Sequence, residues 1–269
     1  ALQGLQLAVG APGDDGVSGS VSNAGAAHLF TFTNSIFNGG TNVGTIGAGY
    51  NSAASDFDVA ALETNDRFGS SLAQGGLALA VGARGDQGRS NLSGVDTGAV
   101  YTFLFADADF DGPSLAGIIG SGYNPGQNLG DGDIVNLEPG DNFGESLAFD
   151  GLSLVVGAPG DAGFGNRSGA GTGAVYLVAF SNSDLLFPNA IGIVGSGYGG
   201  GLGGSISVPG LLAGGILGTG VAADNGRLVI GAAAIRAACA APSTMVASIC
   251  FNMTAAGAEC SRAFRSLAP

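Results

Sequence analysis

Along much of the chain, large and small apolar residues take turns. Leu77, Leu79 and Val81 alternate with Ala78, Ala80 and Gly82, and Tyr101, Phe103 and Phe105 alternate with Val100, Thr102 and Leu104. A period of two sends successive side chains to opposite faces, which predicts strands with two distinct apolar faces and not helices. Over one stretch the pattern predicts four strands, Phe68 to Ala73, Leu77 to Ala83, Ala99 to Phe105, and Leu115 to Gly120. The first two are joined through Gln74-Gly75-Gly76, and the next such pair through Asp150-Gly151, residues suited to tight hairpins.

The pattern then repeats. Leu7-Ala8-Val9-Gly10-Ala11-Pro12-Gly13-Asp14 returns as Leu79 to Asp86, as Leu154 to Asp161 and, degraded, as Leu228 to Ala232. The matched glycines stand at 10, 82, 157 and 231, so the steps are 72, 75 and 74 residues. Gly25-Ala26 matches Gly98-Ala99 and Gly173-Ala174, while Gly47-Ala48-Gly49-Tyr50 matches Gly120 to Tyr123 and Gly195 to Tyr198. Asp66-Arg67-Phe68-Gly69 matches Asp141-Asn142-Phe143-Gly144, with Leu217-Gly218 as a faint third. Landmarks in one order at one spacing define a structural repeat of about 74 residues. Four antiparallel strands per unit describe the blade of a β-propeller, and a linear β-stack is the other architecture that fits. The expected fold is all-β, with propeller-like four-stranded blades over residues 1–232 in three and a half copies. Residues 233–269 abandon the repeat and form a cap or tail, for which a short helix is one option.

Composition changes the picture mainly by exclusion. The chain has 52 Gly among 269 residues, a net charge of −13, one His, no Lys and no Trp. Without Lys there is no Schiff base and no phosphate-cradling lysine. An acidic chain with eight Arg argues against nucleic acid as a partner. With 45% hydrophobic residues the chain is too apolar for disorder, yet it has no run long enough to span a membrane. It opens at Ala1 with neither an initiator Met nor a leader, as a processed or partial chain would.

Phe68-Gly69 followed by Gly82-Ala83, Phe143-Gly144 followed by Gly157-Ala158-Pro159, and Gly10-Ala11-Pro12 resemble the FG-GAP repeat. That repeat builds the propeller of integrin α subunits and occurs in many secreted bacterial proteins. With Val59-Ala60-Ala61-Leu62 ahead of Asp66 and the Gly-x-Gly-Tyr landmark, the unit is similar to repeats of large bacterial haemagglutinin-type or adhesin-type surface proteins. The resemblance implies a propeller, an extracellular or cell-surface location and an adhesive or scaffold role. The family's calcium loop, an Asp cluster between the Phe-Gly and Gly-Ala-Pro strands, has no counterpart here, so those sites do not carry over.

Several residues could carry chemistry. Asp107-Ala108-Asp109-Phe110-Asp111-Gly112 has the D-x-D-x-D-G spacing of a calcium loop, though Ile118 stands where a bidentate Glu belongs. The alternative is an acidic, solvated loop. Asp14, Asp15, Asp86 and Asp161 recur after each Gly-Ala strand, which points to a turn requirement, since Asp caps its own backbone. Arg84-Gly85-Asp86 spells the tripeptide that integrins recognise, but in register Arg84 only replaces Pro12 and Pro159. His28 occupies the register of Tyr101 and Tyr176, as a strand-face side chain. Asn91, Asn166 and Asn252 head glycosylation sequons. Cys239, Cys250 and Cys260 suit a disulfide, within or between chains, better than zinc.

No acid stands apart from the repeat, so the expectation is a protein without catalytic residues and without a required cofactor, calcium being the one candidate ion. The leading expectation is an extracellular structural or adhesive protein that self-associates into a filament or surface layer. The alternatives are a ligand-binding propeller for glycans, calcium or cell-surface proteins, and a polysaccharide-active enzyme.

Overall fold

The computed structural model describes residues 1–89, 96–124, 128–165, 171–199, 202–211, 213–235, 245–254 and 257–263, with backbone alone beyond Ala232. The strands fall into four sheets, each built in chain order. The first contains β1 (Leu2–Gln3), β2 (Gln6–Ala11), β3 (Ala26–Thr31), β4 (Thr41–Gly47) and β5 (Phe57–Asp58). The second contains β6 (Phe68–Gly75), β7 (Ala78–Ala83), β8 (Ala99–Leu104), β9 (Ser114–Gly120) and β10 (Gly132–Asp133). The third contains β11 (Ser146–Asp150), β12 (Ser153–Ala158), β13 (Ala174–Ala179), β14 (Asn189–Gly195) and β15 (Ile206–Ser207). The fourth contains β16 (Leu217–Asp224), β17 (Arg227–Ile235), β18 (Met245–Thr254) and β19 (Gly257–Ala263).

The four main strands of each unit are antiparallel, as the alternation predicts, and the expected boundaries hold to within two residues. Leu77 belongs to the hairpin turn, because Gly75 pairs with Ala78 and leaves the two-residue loop Gly76-Leu77. A fifth strand of two residues pairs parallel with the fourth strand of the first three units, and the periodicity gave no sign of it. In the first unit β1 pairs antiparallel with β2, in the place that β6 takes beside β7.

The helical option for the tail is corrected. Residues 245–254 and 257–263 are strands β18 and β19, paired in register with β17, and they complete the fourth sheet. Cys250 stands opposite Ser261 and Cys260 opposite Phe251, so these two cysteines are not cross-strand partners. Cys239 lies outside the described residues.

The sheets pack face to face in sequence, and the core lies between them. Leu79, Val81, Tyr101 and Phe103 of the second sheet point back at Ala8, Ala27, Leu29 and Ile46 of the first. Ala78, Ala80 and Val100, on the other face, receive Leu154, Val156, Tyr176 and Val178 of the third. Val155, Val175 and Leu177 in turn meet Leu228 and Ile230 of the fourth. Between the second and third sheets large residues thus sit against the preceding sheet's smaller ones, which is the packing logic behind the Leu/Ala alternation there.

Along one edge the backbones themselves touch. A Cβ on Gly82 would overlap the carbonyl oxygen of Gly144, and Gly10 with Gly69 and Gly157 with Gly218 repeat the contact at the other two seams. Gly144 also has φ +91° and would place a Cβ 2.7 Å from Ala99 O and 3.3 Å from Gly82 Cα. Isolated parallel bridges join Gly25 to Phe68, Gly98 to Phe143 and Gly173 to Leu217 across the same seams. Ser71 Oγ donates to Gly144 O at 2.6 Å and Ser146 Oγ to Gly218 O at 2.8 Å. The recurring glycines Gly10, Gly82 and Gly157, with Gly25, Gly98 and Gly173, are therefore the points where consecutive units meet.

Gly82→Ala forces one sheet away from the next and is expected to cost about 3 kcal/mol, the upper part of the usual range for overpacking. Gly76→Ala is the control, because Gly76 has φ +64° with nothing within 4 Å of a Cβ. It carries only left-handed backbone strain, about 1 kcal/mol. Thermal unfolding of both variants checks this, and equal losses would overturn the seam as the critical contact.

Candidate functional site

The acid that follows each Gly-Ala strand does cap its own backbone. Asp14, Asp86 and Asp161 accept a hydrogen bond through Oδ1 from the amides of Gly16, Gly88 and Gly163 at 2.8, 2.7 and 2.6 Å. Sequence reasoning missed what surrounds them. Asp86 is 3% exposed, and its Oδ2 accepts from Tyr101 Oη and Tyr123 Oη, both at 3.0 Å. Asp161 accepts from Tyr176 Oη at 2.9 Å and Tyr198 Oη at 2.8 Å. Asp14 accepts from Tyr50 Oη at 3.0 Å. All five tyrosines of the chain therefore donate to this one repeated acid. The signal was present, since every Tyr occupies one of two repeat landmarks.

In the first unit His28 replaces the third-strand tyrosine, and its Nδ1 lies 3.1 Å from Thr45 Oγ1 instead of reaching Asp14. The backbone oxygen of the same acid ties down the start of the third strand. Asp86 O accepts from the Gly98 amide and Asp161 O from the Gly173 amide, both at 2.8 Å.

A second buried acid approaches the first. Asp66 and Asp141, each 4% exposed, accept through Oδ2 from the amides of Glu63 and Glu138 at 2.7 and 2.8 Å. Burial, with added repulsion from Asp86 and Glu63, raises the Asp66 carboxyl to about 7. Burial, with Asp161 and Glu138 nearby, raises Asp141 to about 7 as well. Burial also raises Asp86, and it holds Tyr101 and Tyr176 well above the usual phenol range. In the third unit these groups border a cleft of about 230 Å³ between Asn136, Glu138 and Asp141 on one side and Asp161, Phe164 and Tyr198 on the other. Phe164 and Tyr198 meet edge to face, with ring centroids 5.9 Å apart.

The Asp107 loop uses Asp107 to cap its own backbone and Asp111 to contact the preceding unit. Asp107 Oδ1 accepts from the amides of Asp109 and Asp111 at 2.8 and 3.3 Å, and Asp111 Oδ1 accepts from Ser55 Oγ at 3.0 Å. Asn34 and Asn182 cap the equivalent hairpins of the first and third units. The D-x-D-x-D-G spacing thus coincides with a capping position that Asn fills elsewhere. Among the described residues no group of three or more His, Cys, Asp or Glu side chains converges in a way that could hold a metal.

Asp86 of the Arg84-Gly85-Asp86 tripeptide is buried, and Arg84 Nη1 pairs with Glu145 Oε2 at 3.0 Å, so the tripeptide is not displayed. Asn91 and Asn166 lie outside the described residues, and Asn252 stands in β18 opposite Arg227 and Glu259.

The raised acids give stability a defined pH dependence. Asp66 and Asp141 hold protons to about pH 7 when folded, whereas an unfolded chain releases them near pH 4. The folded state binds more protons between these values, so stability falls as pH rises from about 4 to about 7. Thermal melts across that range are expected to show Tm declining with pH, and Asp66→Asn with Asp141→Asn to flatten the slope. An upward slope in the parent chain would overturn the assignment.

Comparison with known proteins finds one family model that matches two parts of the chain. The model of the FG-GAP repeat matches residues 61–103 and 136–178. Each match runs from the loop that carries Asp66 or Asp141 through the Phe-Gly strand and the Gly-Ala strand into the third strand, in the second and third units. No curated protein matches the chain. Phe-Gly corners closed on the glycines of the preceding sheet, unit after unit, make the chain an FG-GAP-like repeat protein with propeller-like sheets.

Proposed function

We propose that this repeat module is an extracellular, non-catalytic structural or adhesive protein that associates with further copies of itself. One observation carries the reading: units of one design stack face to face through the same glycine seam three times over, Gly10 on Gly69, Gly82 on Gly144 and Gly157 on Gly218. Similar units that present similar faces suit stacking and self-association.

Three further points support the reading. FG-GAP repeats are typically extracellular, and among the described residues no helix is long and apolar enough to cross a membrane. The buried acids recur from unit to unit with their oxygens occupied by amide and tyrosine donors, which suits architecture better than a reaction centre. The reading requires no cofactor.

A second reading has its own observation. The cleft of about 230 Å³ in the third unit has an exposed aromatic wall, Phe164 at 49%, with Val135 at 80% on its rim. An aromatic face above carboxyl groups suits a glycan, whose C–H groups stack while its hydroxyls donate. Light scattering over a concentration series, run beside a glycan screen, separates the two. The leading reading expects masses that climb above 25.9 kDa with concentration. A monomer at every concentration that binds sugar would replace it with the second.

A further inference from the structure

The cleft of the third unit contains a carboxylate oxygen with no donor. Among the described residues, Gln74 Oε1 and Glu138 Oε2 are buried side-chain atoms without a hydrogen-bond partner, and Glu138 lines this cleft. The neighbouring acids are served: Asp141 accepts from the Glu138 amide, and Asp161 from the Gly163 amide, Tyr176 and Tyr198. A buried carboxylate oxygen left unpaired is costly. The last torsion of a Glu side chain is broad, so a small turn offers Oε2 to a donor seated in the cleft.

The opposite wall departs from the repeat. Val17, Arg89 and Phe164 are equivalent, because their amides donate to Ala48 O, Ser121 O and Ser196 O in turn, each at 3.0 Å. The acids recur in the second unit as Glu63, Asp66 and Asp86, but there the wall position is Arg89, whose Nη1 lies 3.9 Å from Asp131 Oδ2. The third unit places a half-exposed ring at that position, and none of the residues lining its cleft is basic. A feature repeated in each unit serves the fold, whereas one that a single unit carries is free to serve a ligand. Carboxyl groups beside an aromatic face suit a cation that also carries C–H surface. The cleft of about 230 Å³ is smaller than drug-sized pockets, which begin at about 300 Å³, so its occupant is of the size of one sugar ring.

We infer that this cleft binds a basic sugar, the protonated amine of a glucosamine-type residue donating to Glu138 while the C–H face of its ring lies on Phe164. The inference rests on the glycan reading above and names the class of sugar. The ammonium supplies both the donor that Glu138 Oε2 lacks and a charge opposite to that of the cleft. An N-acetylated residue offers an amide donor without the charge. A uronic acid brings a further carboxylate, which the cleft repels.

Calorimetric titration of the full chain with glucosamine, N-acetylglucosamine and glucuronate oligosaccharides tests this at about pH 6, where an amine is protonated. Glucosamine oligomers are expected to bind about tenfold more tightly than N-acetylated ones, and glucuronate oligomers not at all. Glu138→Gln is expected to erase the preference and keep the neutral sugar, and Phe164→Ala to weaken both. Should either variant melt early, salt takes its place: it is expected to weaken glucosamine binding in the parent and leave N-acetylglucosamine binding unchanged. A chain of net charge −13 attracts any polycation. A glucosamine preference that survives Glu138→Gln would therefore belong to that general attraction and overturn the cleft as its source. Arg167 lies outside the described residues. Glucosamine binding gained only on Arg167→Gln would show that the chain's own base serves these acids, and would also overturn the inference. Equal affinity of the parent for glucosamine and N-acetylglucosamine overturns the ammonium and leaves the glycan reading standing, whereas a parent and variants that bind no sugar remove both.

Discussion

Everything in this molecule depends on how closely consecutive sheets approach at their glycine seams. Gly10 against Gly69, Gly82 against Gly144 and Gly157 against Gly218 bring backbone onto backbone, at distances where no side chain fits. That approach allows Gly98 to bridge Phe143 and Ser71 to reach the Gly144 carbonyl. It also sets the sheet spacing that large residues such as Leu154 and Tyr176 need to fill the layer over Ala78 and Ala80.

The acidity of the chain has a structural explanation. Asp outnumbers Glu by 17 to 4, and many of the Asp side chains accept from backbone amides at recurrent positions. Asp56 and Asp131 cap the fourth strand at Thr45 and Ile118, Asp58 and Asp133 cap Gly49 and Gly122, and Asp150 caps Gly226. A short carboxylate reaches nearby amides that Glu would overshoot, so loop capping in a turn-rich β fold accumulates Asp. The buried pairs, Asp66 with Asp86 and Asp141 with Asp161, are where this device becomes electrostatically costly.

Legibility from sequence varied with the range of the interaction. Strands such as Ala99–Leu104 and the turn at Asp150-Gly151 were readable because alternation and hairpin chemistry are local. The two-residue β10 and β15 were not, since a parallel pairing of two residues leaves no periodic trace. The Asp86 turn was foreseen, while its tyrosines were not, because Tyr101 and Tyr123 lie 15 and 37 residues away along the chain. Residues 245–263 defeated the reading for another reason. Their Ala- and Cys-containing sequence lost the repeat landmarks but kept the ability to pair with β17.

By itself the sequence determined the repeat, its all-β character, the FG-GAP resemblance and the fixed positions at which glycine recurs. Those properties come from spacing and backbone stereochemistry, which each unit carries within itself. Only the tertiary structure decided which faces are covered, which acids are buried together and that the last sheet is closed by the tail. These depend on which unit lies next to which, and a strand's own residues do not record its neighbour.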